Sequence, residues 1–309
     1  MADQDKINHK TAVFGLGSMG YGMALSLVAD GHDTYGFDVV VAQTQKFAEA
    51  GGLVGALDHI AFDIDSVFVV VLNAAQTEEI LFGEDGVVPK LKAGAVVVSC
   101  ATVAPDFARE MEARCADNDV LYLDAPISGG SVKAAQGALS VMAAGSEAAF
   151  AAANPVMGSV AETIFRLGDE AGPGSAMKAV NQMLAGVHIA TMAEAITFGM
   201  TQGVEPETFL DVISKCAGSS WMLENRAPHI IAGDYTPHSA VDIWLKDLGI
   251  VLDIAKGAKF GAPITAAALQ QYVAASGSGL GREDDAAVAK IYARNAGIDL
   301  PDAKQKNGK

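Results

Sequence analysis

The chain is poor in cysteine, in aromatic rings and in positive charge. Its three cysteines, Cys100, Cys115 and Cys216, have no paired spacing, so neither a disulfide framework nor a metal knuckle is expected. Six histidines show no His-x-x-x-His and no His/Cys pairing, and no metal site is expected. Lysine and arginine number 21 against 37 aspartates and glutamates, a net charge of −16. That deficit argues against nucleic acid or an anionic membrane surface as a partner. It leaves room for a small anionic substrate, which a few local cations can hold. The polar start Met1-Ala-Asp-Gln-Asp-Lys6 offers no apolar segment, so no secretory signal is expected and a reduced cytoplasm is the simplest setting.

What is abundant is apolar residues, 50% of 309, enough for one large or two moderate domains. Thr11–Gly15 reads as a short buried strand, and a helical stretch to Asp30 and a strand Thr34–Asp38 follow. Further apolar runs lie at Ser66–Leu72, Ala95–Cys100, Val120–Ala125, Leu139–Ala143 and Thr163–Leu167. Helical or turn stretches separate them, among them Pro105–Ala116 and Glu147–Met157. This alternation predicts a largely parallel sheet with helices on both faces, the later strands adding an antiparallel edge. After Gly174 strand signals stop, and helical patterns follow at about 206–216, 219–231, 241–258, 264–275 and 284–296. The expected division is an α/β domain over 1–172, an all-α domain over 173–300 and a disordered polar tail over 301–309.

Between the two compositions runs Gly172–Gly203, mostly apolar. Gly172 and Pro173 punctuate the chain, and Ser175 is placed to cap a helix start. A helix of ~28 residues, apolar nearly all round, would be ~42 Å long and buried between other elements. Its length also suits a membrane span, but Lys178, Asn181, Gln182, His188 and Glu194 interrupt it and favour a buried soluble helix. It is expected to act as the hinge between the domains, with subunits packing around it. His188 reads as a packing or interface residue. His229 and His238 flank prolines and read as loop residues.

Gly15-Leu16-Gly17-Ser18-Met19-Gly20 follows the first strand and opens the first helix, and Asp38 ends the next strand. A bare Gly-x-Gly-x-x-Gly says little; in this context it points to a dinucleotide. Gly15 permits the tight turn, Gly17 lets a pyrophosphate approach the backbone, and Gly20 allows close helix–strand packing. The helix N-terminus then offers N–H groups to the phosphates. Asp38 would accept bonds from the adenosine ribose hydroxyls and repel a 2′-phosphate. Val39-Val40-Val41 supplies no arginine to receive one, so NAD is expected over NADP.

Asp124-Ala-Pro-Ile-Ser-Gly-Gly130 ends a strand in a turn before a short helix. Backbone N–H groups at Ser128, Gly129 and Gly130, with the Ser128 hydroxyl, suit a carboxylate, although a plain glycine turn reads the same way. Lys178 has a reference pKa of about 10.4, too high for a proton acceptor at neutral pH. A helix N-terminus, partial burial and a nearby cation would each lower it. As an amine it could take a hydroxyl proton while hydride leaves the same carbon. Asn181, one turn on, could hold the substrate oxygen or orient the lysine. Lys246, among Trp244, Leu245 and Leu248, could either snorkel to solvent or reach the cofactor.

Together, Gly15–Gly20, Asp124–Gly130, Gly172-x-Gly-x-x-x-Lys178-x-x-Asn181 and Lys246-Asp247 resemble the β-hydroxyacid dehydrogenase family, in family order and over nearly the whole chain. Asn181–Ala190, Trp221–His229 and Gly233–Leu248 are similar to its L-threonate dehydrogenase branch. The resemblance implies an N-terminal Rossmann-type, doubly wound domain, joined through the long helix to an all-α C-terminal domain for substrate and dimerisation. The active site would lie in the cleft between them, and the enzyme would be a homodimer or homotetramer. It implies Lys178 as the catalytic lysine and Asn181 as a substrate contact. Ser128, Gly129 and Gly130 would hold the substrate carboxylate. Leu72 and Asn73, ending a fourth strand, would line the NAD cleft. Thr102, after a fifth strand, would contact the cofactor, and Lys246 would close over it. Two departures, Ser99-Cys-Ala-Thr102 for the usual Asp-x-Ser-Thr and Asn181-Gln182 for Asn-Asn, fit an acid other than 3-hydroxyisobutyrate. The activity implied is NAD-dependent oxidation of a small sugar acid such as L-threonate. The rivals are 3-hydroxyisobutyrate, tartronate semialdehyde in the reducing direction, and a non-catalytic NAD-binding module.

Overall fold

The computed structural model describes residues 9–302; the tail expected to be disordered lies outside them from residue 303 onward. The chain divides into two compact units after Lys178, within one long helix. The first unit runs β1 (Lys10–Phe14), α1 (Gly20–Ala29), β2 (Asp33–Phe37), α2 (Val41–Glu49), α3 (Leu57–Ile60), β3 (Ser66–Val69) and α4 (Ala74–Phe82). It continues with β4 (Val96–Ser99), α5 (Pro105–Ala116), β5 (Leu121–Asp124), β6 (Ile127–Ser128), α6 (Gly130–Ala135), β7 (Leu139–Ala143), α7 (Glu147–Val160) and β8 (Ala161–Arg166).

Five strands form one parallel sheet in the order β2-β1-β3-β4-β5. Two of its central strands, Ser66-Val-Phe-Val69 and Val96-Val-Val-Ser99, are valine-rich and buried along their whole length, as a sheet covered on both faces requires. Side-chain alternation divides the core. Phe68, Val96 and Val98 pack with Met23 and Leu27 of α1 and Val156 of α7. Val67, Val69 and Val97 pack with Leu81 of α4 and Met111 of α5. The sheet is therefore doubly wound. From β2 the chain crosses back to the other side of β1, so the strand order reverses between β1 and β3. Ligands of open parallel sheets bind outside the carboxyl ends of the strands at such a point.

The later strands do not add an antiparallel edge to this sheet. They form a separate three-stranded sheet, β6-β7-β8, with β6 antiparallel and β8 parallel to β7. Pro126 has no N–H to extend the β5 ladder, and β5 meets β7 through the isolated Asp124–Ala144 bridge, beyond which the Met142 N–H donates to the Pro126 carbonyl at 2.9 Å. The strand count also shifts. Asn73 follows the third strand and Thr102 the fourth, because the segment after β2 forms α2 and α3, and Leu53 makes only an isolated parallel bridge to Tyr35.

The long helix, α8 (Pro173–Thr201), leads into α9 (Pro206–Ile213), α10 (Trp221–Ala232), α11 (Val241–Gly257), α12 (Pro263–Ala275) and α13 (Ala289–Ala296). Ile189, Met192 and Ile196 of α8 join Leu223, Trp244, Leu248, Tyr272 and Ile291 in the core of the second unit. The Tyr272 hydroxyl donates to the Gly186 carbonyl at 2.7 Å, and its ring stacks with Trp244 at 5.7 Å between centroids. Beneath them Asp285 accepts from Arg226 Nε at 2.5 Å and Trp244 Nε1 at 2.9 Å.

Three expectations need correction. α8 is not buried all round: Met177, Val180, Leu184 and Phe198 are 44%, 52%, 53% and 66% exposed. An all-round apolar pattern carries no sign of which face the core takes, and here one face alone packs. Ser175 does not cap α8; the helix begins at Pro173, a first-turn position that suits proline. His229 is helical, within α10, with Nδ1 2.8 Å from Asp284 Oδ1; the helix tolerates Pro228 and ends only at left-handed Gly233. Among the described helices, α8 is the one long and apolar enough to cross a membrane.

Candidate active site

The glycine-rich turn sits at the switch point of the sheet. Gly15 has φ +94°, and a Cβ there would overlap the Val70 carbonyl after β3. A Cβ on Gly20 would overlap the Gly15 carbonyl, whereas Gly17 faces open space. The turn is therefore locked between β1, β3 and α1, with its middle glycine open to a ligand. No side chain caps α1 at Met19, so the start of that helix is left to an anion. Asp38, just past β2, accepts the Leu16 N–H at 2.7 Å and the Val40 N–H at 2.8 Å. Its carboxylate is thus oriented by the same turn, and each oxygen keeps a lone pair for a ribose hydroxyl. These residues fit a dinucleotide.

The other strand ends contribute in turn. Leu72 is exposed after β3, and Asn73 caps α4 by accepting the Gln76 N–H at 2.9 Å. Thr102, half-buried, follows β4. Burial alone pushes the Cys100 thiol up to about 12, which removes it as a nucleophile. Past β5, Gly129 and Gly130 take φ +138° and +77°, and the chain turns at Ser128 into α6. Lys178 is buried, and its Nζ donates to the Ile127 carbonyl at 2.9 Å. The first unit thus gathers Gly15–Gly20, Asp38, Leu72, Asn73, Thr102, Ser128–Gly130 and Lys178 at the carboxyl ends of its strands.

Asn181 and Lys246 belong to the second unit, where a chain of side chains joins them. Asn181 Nδ2 donates to Gln182 Oε1 at 2.9 Å, and Gln182 Nε2 donates to Asp247 Oδ2. Lys246 Nζ lies 2.7 Å from Asp247 Oδ1. Gln182 thereby uses its extra methylene, relative to asparagine, to reach a carboxylate on α11. Sequence reading missed this role of Gln182 and Asp247, and missed what Asp124 does. Asp124 is buried, and accepts from Gly172 N–H at 2.9 Å, Ser175 N–H at 2.8 Å and Ser175 Oγ at 2.6 Å. Burial pushes its carboxyl above the usual range, against those three donors and Arg109, which pull it down. A charged residue closing an apolar strand was the available signal. Among the described residues, no group of three or more His, Cys, Asp or Glu side chains is placed to hold a metal ion.

Comparison with known proteins shows the family. Residues 10–168 match the NAD binding domain of 6-phosphogluconate dehydrogenase. Residues 172–292 match the family described as NAD-binding of NADP-dependent 3-hydroxyisobutyrate dehydrogenase. An L-threonate dehydrogenase of Cupriavidus necator is 46% identical over 296 residues, 96% of this chain and 99% of that protein. The L-threonate dehydrogenase of Escherichia coli K12 is 47% identical over 295 residues, covering 94% and 96%. The crystal structure of a 3-hydroxyisobutyrate dehydrogenase from Salmonella typhimurium superposes with a TM-score of 0.86 at 42% identity, covering 92% of this chain and 99% of that one. With a doubly wound sheet, a dinucleotide turn at its switch point and a buried lysine beside the Ser128–Gly130 loop, the chain belongs to the β-hydroxyacid dehydrogenase family of nicotinamide-dependent oxidoreductases.

Proposed function

We propose that this enzyme oxidises L-threonate to 2-dehydro-L-erythronate with NAD, using Lys178 as the general base. The observation that carries the reading is the Lys178 amine, buried and held at 2.9 Å by the Ile127 carbonyl, one residue before the Ser128–Gly130 turn. Gly129 and Gly130, without side chains, leave their N–H groups open to the substrate carboxylate, and Ser128 adds a hydroxyl. Lys178 then takes the proton of the substrate hydroxyl, and as an ammonium returns it in the reverse reduction. When bound, nicotinamide supplies the hydride acceptor. Asn181 holds the substrate oxygen, and Lys246, steadied by Asp247, closes over the cofactor. Leu16, Ser18 and Met19 supply the backbone of the phosphate turn, with Leu72, Asn73 and Thr102 along the cofactor. The first unit is the NAD-binding part; the helical unit carries substrate contacts and the subunit interface. Relatives named L-threonate dehydrogenase support the choice of acid, as does Gln182 in place of the family's second asparagine.

A rate panel tests it: L-threonate, 3-hydroxyisobutyrate and, in reverse, tartronate semialdehyde, each with NAD and NADP. L-Threonate with NAD is expected to give a kcat/KM at least about tenfold above every other pair, a margin of about 1.4 kcal/mol in transition-state binding. A higher value for another acid replaces the substrate and keeps the chemistry. No NADH formation from any hydroxy acid would leave a non-catalytic NAD-binding module.

The exposed stripe Met177, Val180, Leu184 and Phe198 favours a homodimer or homotetramer, since an apolar stripe along a long helix is costly to leave in water. Sedimentation at micromolar concentration is expected to give two or four copies; monomer alone refutes it. Lys178 bonded to Ile127 and Gln182 bonded to Asp247 favour a packed helix in a soluble, cytoplasmic enzyme over a membrane span.

A further inference from the structure

We propose that Asp124 is a positioning residue for Lys178: its carboxylate clamps the first turn of α8 and so fixes where the lysine amine stands. The inference rests on the reading of Lys178 as the general base.

The residue before Pro173 is Gly172, which has no side chain to cap the N–H groups of the first turn. The missing acceptor comes from β5. Asp124 Oδ2 takes the N–H groups of Gly172 and Ser175, and Oδ1 takes the Ser175 hydroxyl, from 48 and 51 residues away in sequence. A local serine or threonine cap would satisfy the same N–H groups without burying a charge. What a carboxylate from the sheet adds is a fixed relation between helix and strand end.

That relation is tight. A Cβ on Gly174 would sit 2.5 Å from the Met142 carbonyl oxygen and 2.6 Å from the Asp124 carbonyl oxygen, so α8 starts against the backbones of β5 and β7. Ser175 and Lys178 lie three apart and share a helix face. One meets Asp124, and the other meets Ile127 in β6, the strand paired with β7. A side-chain tip stands about 6 Å from its helix axis. A 10° rotation of the first turn would therefore move it by about 1 Å, and a misplacement of that size can cost on the order of 100-fold in rate.

Asp124→Ala removes all three bonds. Asp124→Asn keeps an acceptor for the two N–H groups. Ser175→Ala removes only the hydroxyl bond. The measurements are kcat, the KM for NAD, thermal stability, and the primary isotope effect with L-threonate deuterated at the carbon that is oxidised. Asp124→Ala is expected to lower kcat about 100-fold, to raise the isotope effect toward its intrinsic value, and to leave the KM for NAD within about threefold. Asp124→Asn should recover to within about tenfold of the parent, and Ser175→Ala should lose about three- to tenfold with a raised isotope effect. A rise in the isotope effect marks a slower chemical step; a general loosening that merely removes active protein leaves it unmoved.

The inference falls if kcat drops with an unchanged isotope effect, if the loss lies in the KM for NAD, or if Asp124→Asn is no better than Asp124→Ala. Should Asp124→Ala fail to fold, parental kcat and isotope effect in Ser175→Ala overturn it. Lys178→Ala keeps the two questions apart. If that variant turns over, the reading of Lys178 is wrong; if it is dead while the Asp124 and Ser175 variants match the parent, the clamp alone is wrong.

Discussion

Lys178→Ala is expected to lower kcat by about a thousandfold or more while leaving NADH binding within a factor of about three. General acid–base catalysis by a positioned side chain is worth on the order of 100- to 10,000-fold, and Lys178 is the proposed base beside the Ser128–Gly130 turn. Its amine donates to Ile127, a carbonyl outside the glycine-rich turn, so removing it leaves the Gly15–Gly20 and Asp38 contacts intact. The buried Ile127 carbonyl loses that donor, at a cost of about 1–3 kcal/mol, below the roughly 5–15 kcal/mol stability of a typical domain. Lys178→Met fills the apolar stem without an amine and should be as inactive as alanine. Stopped-flow measurement of NADH formation and a fluorescence titration of NADH read the two quantities separately. Near-parental turnover in either variant would remove Lys178 as the base, and a loss confined to NADH affinity would reassign it to cofactor binding.

The parts of this protein that show in its sequence are those in which neighbouring residues act together. The phosphate turn is six consecutive residues, and its two crowded glycines are needed because Val70 and Gly15 carbonyls leave no room for a Cβ. The parallel sheet shows as runs such as Val96–Ser99. What stayed hidden was set by partners distant in sequence. The Asp124–Ser175 bonds span 51 residues and the Gln182–Asp247 bond 65, and no local pattern announces either. Ser175 read as a cap because serine often is one; the acceptor it meets lies on β5. α8 read as buried because its apolar residues go all round, and a periodicity without a polar face cannot tell the packed side from the stripe at Met177, Val180 and Leu184. The separate sheet β6-β7-β8 was hidden for a related reason: strand runs declare themselves, whereas their pairing depends on where Pro126 ends the β5 ladder.

The proposed preference for NAD over NADP rests on one carboxylate, Asp38, and its removal should invert it. Asp38 is fixed by the Leu16 and Val40 N–H groups, with Val39 beside it fully exposed. A 2′-phosphate entering there would meet a carboxylate that cannot turn away without giving up two hydrogen bonds, so charge repulsion and desolvation act together. Asp38→Asn removes the charge and keeps an acceptor for one of those N–H groups. Adding Val39→Arg supplies a planar cation able to bond the phosphate through two N–H groups at once. A hydrogen bond to a charged group contributes about 1.5–3 kcal/mol, or roughly ten- to 100-fold per bond. The D38N/V39R enzyme is therefore expected to lose about ten- to 100-fold in kcat/KM with NAD and to gain about as much with NADP. The ratio should swing by about 100- to 10,000-fold, with kcat for the preferred cofactor within about tenfold of the parent because Lys178 is untouched. D38N alone should fall between, weakened with NAD but without a cation for NADP. Initial rates over a matrix of both cofactors and three proteins check this. If NAD is used as well after D38N as before, the ribose hydroxyls do not depend on Asp38. If V39R brings no NADP activity, residue 39 does not face the 2′-position, and selection against NADP must come from elsewhere in the turn.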